Sequence, residues 1–81
     1  MKLNLTEIDI YTLASIYAGA YEGLDVDISV VNGYGSFPAR VEQIYVKNEK
    51  ILVRFYSYES RESGIRSIDQ IEQMRISCRH G

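Results

Sequence analysis

The sequence predicts an α+β domain in which an N-terminal helix precedes a small, strongly bent, antiparallel barrel of five strands. Three observations carry this reading. A helical apolar period runs over residues 6–21. Residues 24–58 then alternate apolar and polar side chains in three short segments split by compact polar turns. That alternation changes phase once, inside the second segment, where a bulge would bend the strand. The 81 residues are read as one domain, 1–81, with the helix at 6–21, the meander at 24–58 and a closing turn and strand at 67–77.

Thr6 offers a hydroxyl to cap the helix, and Glu7 and Asp9 in the first turn suit the positive end of its dipole. At 100° per residue, Ile10, Leu13, Ala14, Tyr17, Ala20 and Tyr21 share one face, which is expected to be core. The other side, Ile8, Tyr11, Thr12, Ser15, Ile16 and Gly19, carries no charge. A solvated helix face normally carries Lys and Glu, so Tyr11, Thr12, Ser15, Ile16 and Gly19 are candidates for an oligomer interface. Small Ser15, Ala18 and Gly19 would permit close approach there. Gly23 is expected to end the helix.

Leu24, Val26, Ile28 and Val30 alternate with Asp25, Asp27 and Ser29, giving a first strand over Leu24 to Val31 with one buried and one wet face. Asn32-Gly33-Tyr34-Gly35 reads as a hairpin turn, with Asn-Gly suited to type I′, and sets Tyr34 at an exposed tip. In the second strand, Ser36 to Val46, Phe37, Ala39 and Val41 point inward until Glu42-Gln43 breaks the period. Ile44 and Val46 resume on the other phase. Pro38 lacks an N–H, which places that end of the strand at an edge. After the Lys47-Asn48-Glu49 turn, the third strand, Lys50 to Tyr58, points Ile51, Val53 and Phe55 inward and Leu52, Arg54, Tyr56 and Tyr58 outward. Glu59-Ser60-Arg61-Glu62-Ser63-Gly64 reads as a solvated loop. Ser67 and Gln70 have the spacing of a capping box that opens one helical turn presenting Ile68 and Ile71 to the core, and Met74 to Ser77 reads as the last strand.

Nine basic against eleven acidic residues leave a net charge of -2, which weighs against a dedicated binder of nucleic-acid backbones. Cys78 is the only cysteine, no apolar run reaches the length of about 18 residues that a membrane span needs, and residues 1–7 lack the apolar stretch of a secretory signal. A soluble cytoplasmic protein is expected. Asp25 and Asp27 have the spacing of any half-exposed strand face. The Gly-Tyr-Gly turn lacks the Lys and following helix of a phosphate loop, and His80 stands alone near the end of the sequence. No enzymatic activity, metal or cofactor is therefore expected. Seven tyrosines without a tryptophan fit a contact surface as well as a core. The interleaved Arg and Tyr of the outward stripe, with Tyr34, make Tyr34, Arg40, Arg54, Tyr56 and Tyr58 the candidate partner or ligand contacts.

The order of helix, meander with a bent second strand, single turn and short closing strand resembles the SH3-like small barrels, and especially the Sm-like arrangement. The segment from Ile65 through Arg66, Ser67, Ile68, Asp69, Gln70 and Ile71 to Ile76 is similar to the closing segment of YolD-like small proteins of bacteria and their prophages. Of the Sm pattern, the turn after the second strand keeps only Asn48, and the closing triplet is Ile65-Arg66-Ser67. The resemblance implies a phage- or prophage-type accessory or inhibitor. With no catalytic constellation, an uncharged helix side and an excess of tyrosine, the leading expectation is a non-enzymatic protein-interaction module that works as a homo-oligomer on a protein target. A nucleotide or small-ligand binding protein and an Sm-like binder of single-stranded RNA or DNA are the alternatives.

Overall fold

The computed structural model describes residues 9–77. One helix, α1 (Ile10–Tyr21), is followed by β1 (Asp25–Val30), β2 (Phe37–Lys47), β3 (Lys50–Ser57) and β4 (Glu62–Ser67). A single 3-10 turn, Ile68–Gln70, then leads into β5 (Ile71–Ile76). The strands form one antiparallel sheet in the order β4-β3-β2-β1-β5, so the fold is α+β.

The helix starts later than the apolar period implies. Asp9, in extended conformation, is its N-cap, and the carboxylate accepts from the Thr12 N–H at 2.7 Å. That bond holds the Asp9 carboxyl below its ordinary value. Thr6, expected as the cap, lies outside the described residues, as do Glu7 and Ile8. The buried stripe runs Ile10, Ala14, Tyr17, Ala18 and Tyr21, with the Tyr17 and Tyr21 rings stacked at 6.4 Å. Leu13 and Ala20, expected in the core, are exposed, and Ala18, expected on the outer side, packs inward. Small Ala14 and Ala18 let the helix lie close on the sheet, and this rotation leaves Leu13 on its flank. Glu22 caps the C-terminus and Gly23 follows at φ +81°, a left-handed position that glycine adopts without strain.

The sheet's inner face supplies most of the core: Val26, Ile28, Ala39, Val41, Ile44, Ile51, Val53 and Phe55 are all buried. Pairing passes from Val41↔Phe55 to Gln43↔Arg54, so Glu42 is the extra residue of a bulge, where the sequence breaks its period. Beyond the bulge, Ile44 lies past the start of β1, and its N–H finds no strand partner among the described residues. Glu22 fills the gap, its carboxylate accepting from Ile44 N at 2.7 Å. The bend in β2 is thereby tied to the end of α1.

Four expectations are corrected. Leu24, expected as the first buried strand residue, precedes β1 and is 41% exposed. The Asn32-Gly33 type I′ hairpin is absent: Gly33 N–H donates to Val30 O, with Asn32 alone of the central pair at positive φ. Val31 N–H has turned away to Gln70 O, and pairing of β1 with β2 begins only at Ile28↔Phe37. Pro38 does not mark an edge, because β2 is the central strand. Its carbonyl accepts from Tyr58 N, so the missing N–H also faces β3, just past the last pair, Ala39↔Ser57. Residues 62–64, read as loop, begin β4 instead.

The capping-box turn stands where expected, with Ser67 N–H donating to Gln70 Oε1 at 3.1 Å and Ile68 and Ile71 packed on the core. The Ser67 hydroxyl donates to Asp69, which lowers that carboxyl. The turn also shapes the sheet. In a flat sheet β4 and β5 would lie four strand spacings apart, about 19 Å, yet the four residue steps from Ser67 to Ile71 reach at most about 14 Å even when extended. The sheet must therefore curl, although it does not close: β4 and β5 are its two ends.

Candidate functional site

The outward residues of β1 to β4 form a row across the convex face. Asp25 lies opposite Arg40, Arg40 opposite Tyr56, and Tyr56 opposite Ser63. Directly opposed side chains in an antiparallel sheet sit about 4.5–5.5 Å apart at Cβ, so the row is a contact surface by construction. Asp25 Oδ1 organises it, accepting from the Tyr58 hydroxyl at 2.6 Å and from Arg40 Nε at 3.4 Å. The Tyr56 and Tyr58 rings meet edge to face at 5.7 Å. Glu42, turned outward by the bulge, accepts from the Ser63 hydroxyl at 3.4 Å.

These contacts set the charge states. The hydrogen bond to Asp25, with some desolvation, raises the Tyr58 phenol above its ordinary value. Arg40 is raised as well, by the Tyr58 phenolate charge first and by Asp25 next. The Arg40–Asp25 pair is solvent-exposed and contributes little to stability. What it does is fix the guanidinium and the Tyr58 ring in place. Beside them opens a concavity of about 210 Å³ lined by Asp25, Val26, Pro38, Tyr58 and Ser77.

Comparison of the chain with family models, curated proteins and solved structures gives no match. The geometry therefore stands alone. Of the five contact residues read from the sequence, Arg40, Tyr56 and Tyr58 come together. Arg54 sits two residues before Tyr56 on the same face of β3, opposite Gln43 and Ile65. Tyr34 is fully exposed in the β1–β2 connection. It belongs to a different end of the molecule, since β1 alone runs about 16 Å from Asp25 to Val30.

Asp25 is the site residue that sequence reasoning missed. Read as half of a solvated acidic pair with Asp27, it instead anchors Tyr58 and Arg40, while Asp27 lies opposite Pro38 and Arg75. Its alternation with Val26 gave the face, but its partners depend on the register between β1 and β2.

On the helix, Tyr11 (69% exposed) and Ile16 (58%) stand on the outer side with Thr12, Ser15 and Gly19, all exposed, and Leu13 flanks them. A side chain at Gly19 would meet open space. No helix among the described residues is long and apolar enough to cross a membrane.

Proposed function

We propose that the protein is a non-enzymatic interaction module, of the accessory or inhibitor kind, that docks a protein target through the Arg40, Tyr56 and Tyr58 patch and assembles with copies of itself through the outer side of α1. The observation that carries this reading is the patch itself: Tyr58 and Arg40 held by Asp25, with the Tyr56 ring packed edge to face on Tyr58, in one arrangement before any partner arrives. Tyr and Arg fixed in advance lose little side-chain entropy on binding, which is the property of residues that dominate interface energetics. Asp25 also argues against the nucleotide and single-stranded nucleic-acid alternatives, because its carboxylate offsets the Arg40 charge that a phosphate would seek.

The assembly half rests on Tyr11 and Ile16, large and exposed on a helix face without a single charge. We also place the curled sheet with the SH3-like small barrels, in an open form. The strand order, the bulge in β2 and the 3-10 turn before β5 support that kinship. The likeness of Ile65–Ile76 to YolD-like proteins belongs to the same proposal.

Light scattering tests assembly: a mass above the 9.3 kDa monomer is expected, falling to that value in Tyr11→Glu and Ile16→Glu. A strict monomer at high concentration removes the helix from the proposal. Affinity capture from the native host, followed by mass spectrometry, tests docking. Tyr56→Ala and Arg40→Ala should release the captured target, and retention by both variants would move the target site elsewhere.

A further inference from the structure

The concave side of the sheet, opposite the Arg40–Tyr56 row, carries an end strand beside an open groove. β4 is an end strand, and its backbone parity can be worked out. Tyr58 N–H donates across to Pro38 O on β2, so the groups of Ser57 point the other way, toward β4. Ser57 lies opposite Glu62, which turns Glu62, Gly64 and Arg66 toward β3 and Ser63, Ile65 and Ser67 toward the open edge. Two edge groups are satisfied locally: Ser67 N–H donates to Gln70 Oε1, and Ile65 O accepts from Arg66 Nη1 at 2.9 Å. Of the others, Ser63 N–H and C=O and Ile65 N–H face outward in a row ahead of the 3-10 turn, without a strand partner among the described residues.

Next to this edge lies an open groove of about 400 Å³. Half-buried Phe37 and the edge of buried Phe55, their rings 5.5 Å apart, form its floor, and Gly64, which has no Cβ, lets the Phe55 ring pack against its wall. Glu59 and Glu62 stand on its rim. The one cation lining it, Arg66, donates to the Ile65 carbonyl and keeps its charge, so the two carboxylates leave the lining net negative. An aromatic floor with two carboxylates above it matches an aliphatic stem ending in a positive charge.

We infer that this edge and groove bind an extended peptide segment of a partner protein carrying a lysine or arginine. The segment adds a strand outside β4, bonding to Ser63 and Ile65, and its basic side chain enters the groove to meet Glu59 and Glu62 over the phenylalanines. This surface shares only Ser63 with the convex row, through its backbone rather than its side chain, and uses none of Arg40, Tyr56 and Tyr58, so the two can fail independently.

The test uses a displayed library of random heptapeptides selected on the whole protein. Selected peptides should be rich in strand-forming residues around one Lys or Arg. Exchanging that residue for Glu should weaken binding at least tenfold, as should Glu59→Gln combined with Glu62→Gln. Both glutamates are exposed, so the double variant keeps its fold. Ser63→Pro removes an outward N–H while sparing the bonds to β3 and should abolish binding. Amide chemical shifts on titration should move at Ser63, Gly64 and Ile65, and Tyr58→Phe should bind like wild type. The inference is overturned if selection yields no binders, if acidic or uncharged peptides win, or if the glutamate and proline variants bind unchanged. Concentration-dependent shifts at Ser63 and Ile65 without peptide would assign the edge to a second copy of the chain and overturn it too.

Discussion

Replacing Glu22 by alanine isolates one side-chain hydrogen bond between the end of the helix and the bent strand. The carboxylate accepts from Ile44 N at 2.7 Å, and Ile44 itself is 6% exposed, so its N–H has little access to water once the acceptor is gone. A hydrogen bond to a charged group is worth about 1.5–3 kcal/mol and a stranded buried donor costs about 1–3 kcal/mol. Glu22 is itself exposed, which favours the lower part of that range and gives an expected loss of about 1–2 kcal/mol. Glu22 lies just outside the helix, so altered helix propensity does not confound the exchange. For a domain of this size the Tm should fall by about 4–8 °C per kcal/mol. Urea unfolding followed by circular dichroism measures the change directly, with an unaltered slope. Glu22→Gln keeps a carbonyl acceptor and should lose about half as much. A Glu22→Ala protein within about 0.5 kcal/mol of wild type, the range of an inert surface exchange, would refute the idea that the carboxylate holds the bend.

Three further outcomes follow from single residues. A Cβ at position 64 would sit 2.8 Å from the Phe55 ring, so Gly64→Ala should destabilise by about 1–3 kcal/mol in chemical denaturation; equal stability would mean that the ring is free to move. Glu49 sits at φ +61° in the turn from β2 to β3, a conformation costing about 1–2 kcal/mol for a residue with a side chain. Glu49→Gly should therefore stabilise by about 0.5–1 kcal/mol after the entropy that glycine gains in the unfolded chain, and a lower denaturation midpoint would contradict this. Tyr58 has a raised folded value, so its contribution is fully present below the unfolded phenol pKa of about 10 and is lost as pH rises through the folded one. Ultraviolet titration should find one tyrosine ionising late, and in Asp25→Asn that delay should shrink; an unchanged curve would detach Tyr58 from Asp25.

The inner phase of β1 to β3 was legible because each strand buries one face in the common core, and burial imposes the alternation that sequence displays. The bulge at Glu42 was legible for the same reason, as two consecutive polar residues. β4 was not. Its inward positions, Glu62, Gly64 and Arg66, line the open mouth of the sheet, where no layer among the described residues covers them and no apolar side chain is required. Pro38 misled because its missing donor falls beyond the end of a neighbouring strand, something only the pairing reveals. The convex patch was half legible: Arg40, Tyr56 and Tyr58 could be named from composition and face, but Asp25 acquires its meaning only from the strand opposite.

The position of β1 inside the sheet has a consequence for synthesis. The first described strand is completed by the last described one, because Val26 and Ile28 pair with Ile76 and Met74 as well as with Ala39 and Phe37. While the chain is being translated, β1 waits with one side bare until residues 71–76 have been added. A nascent chain of this protein therefore passes through a stage with an apolar strand flank open to neighbours. Any stop before residue 71 would leave it in that state.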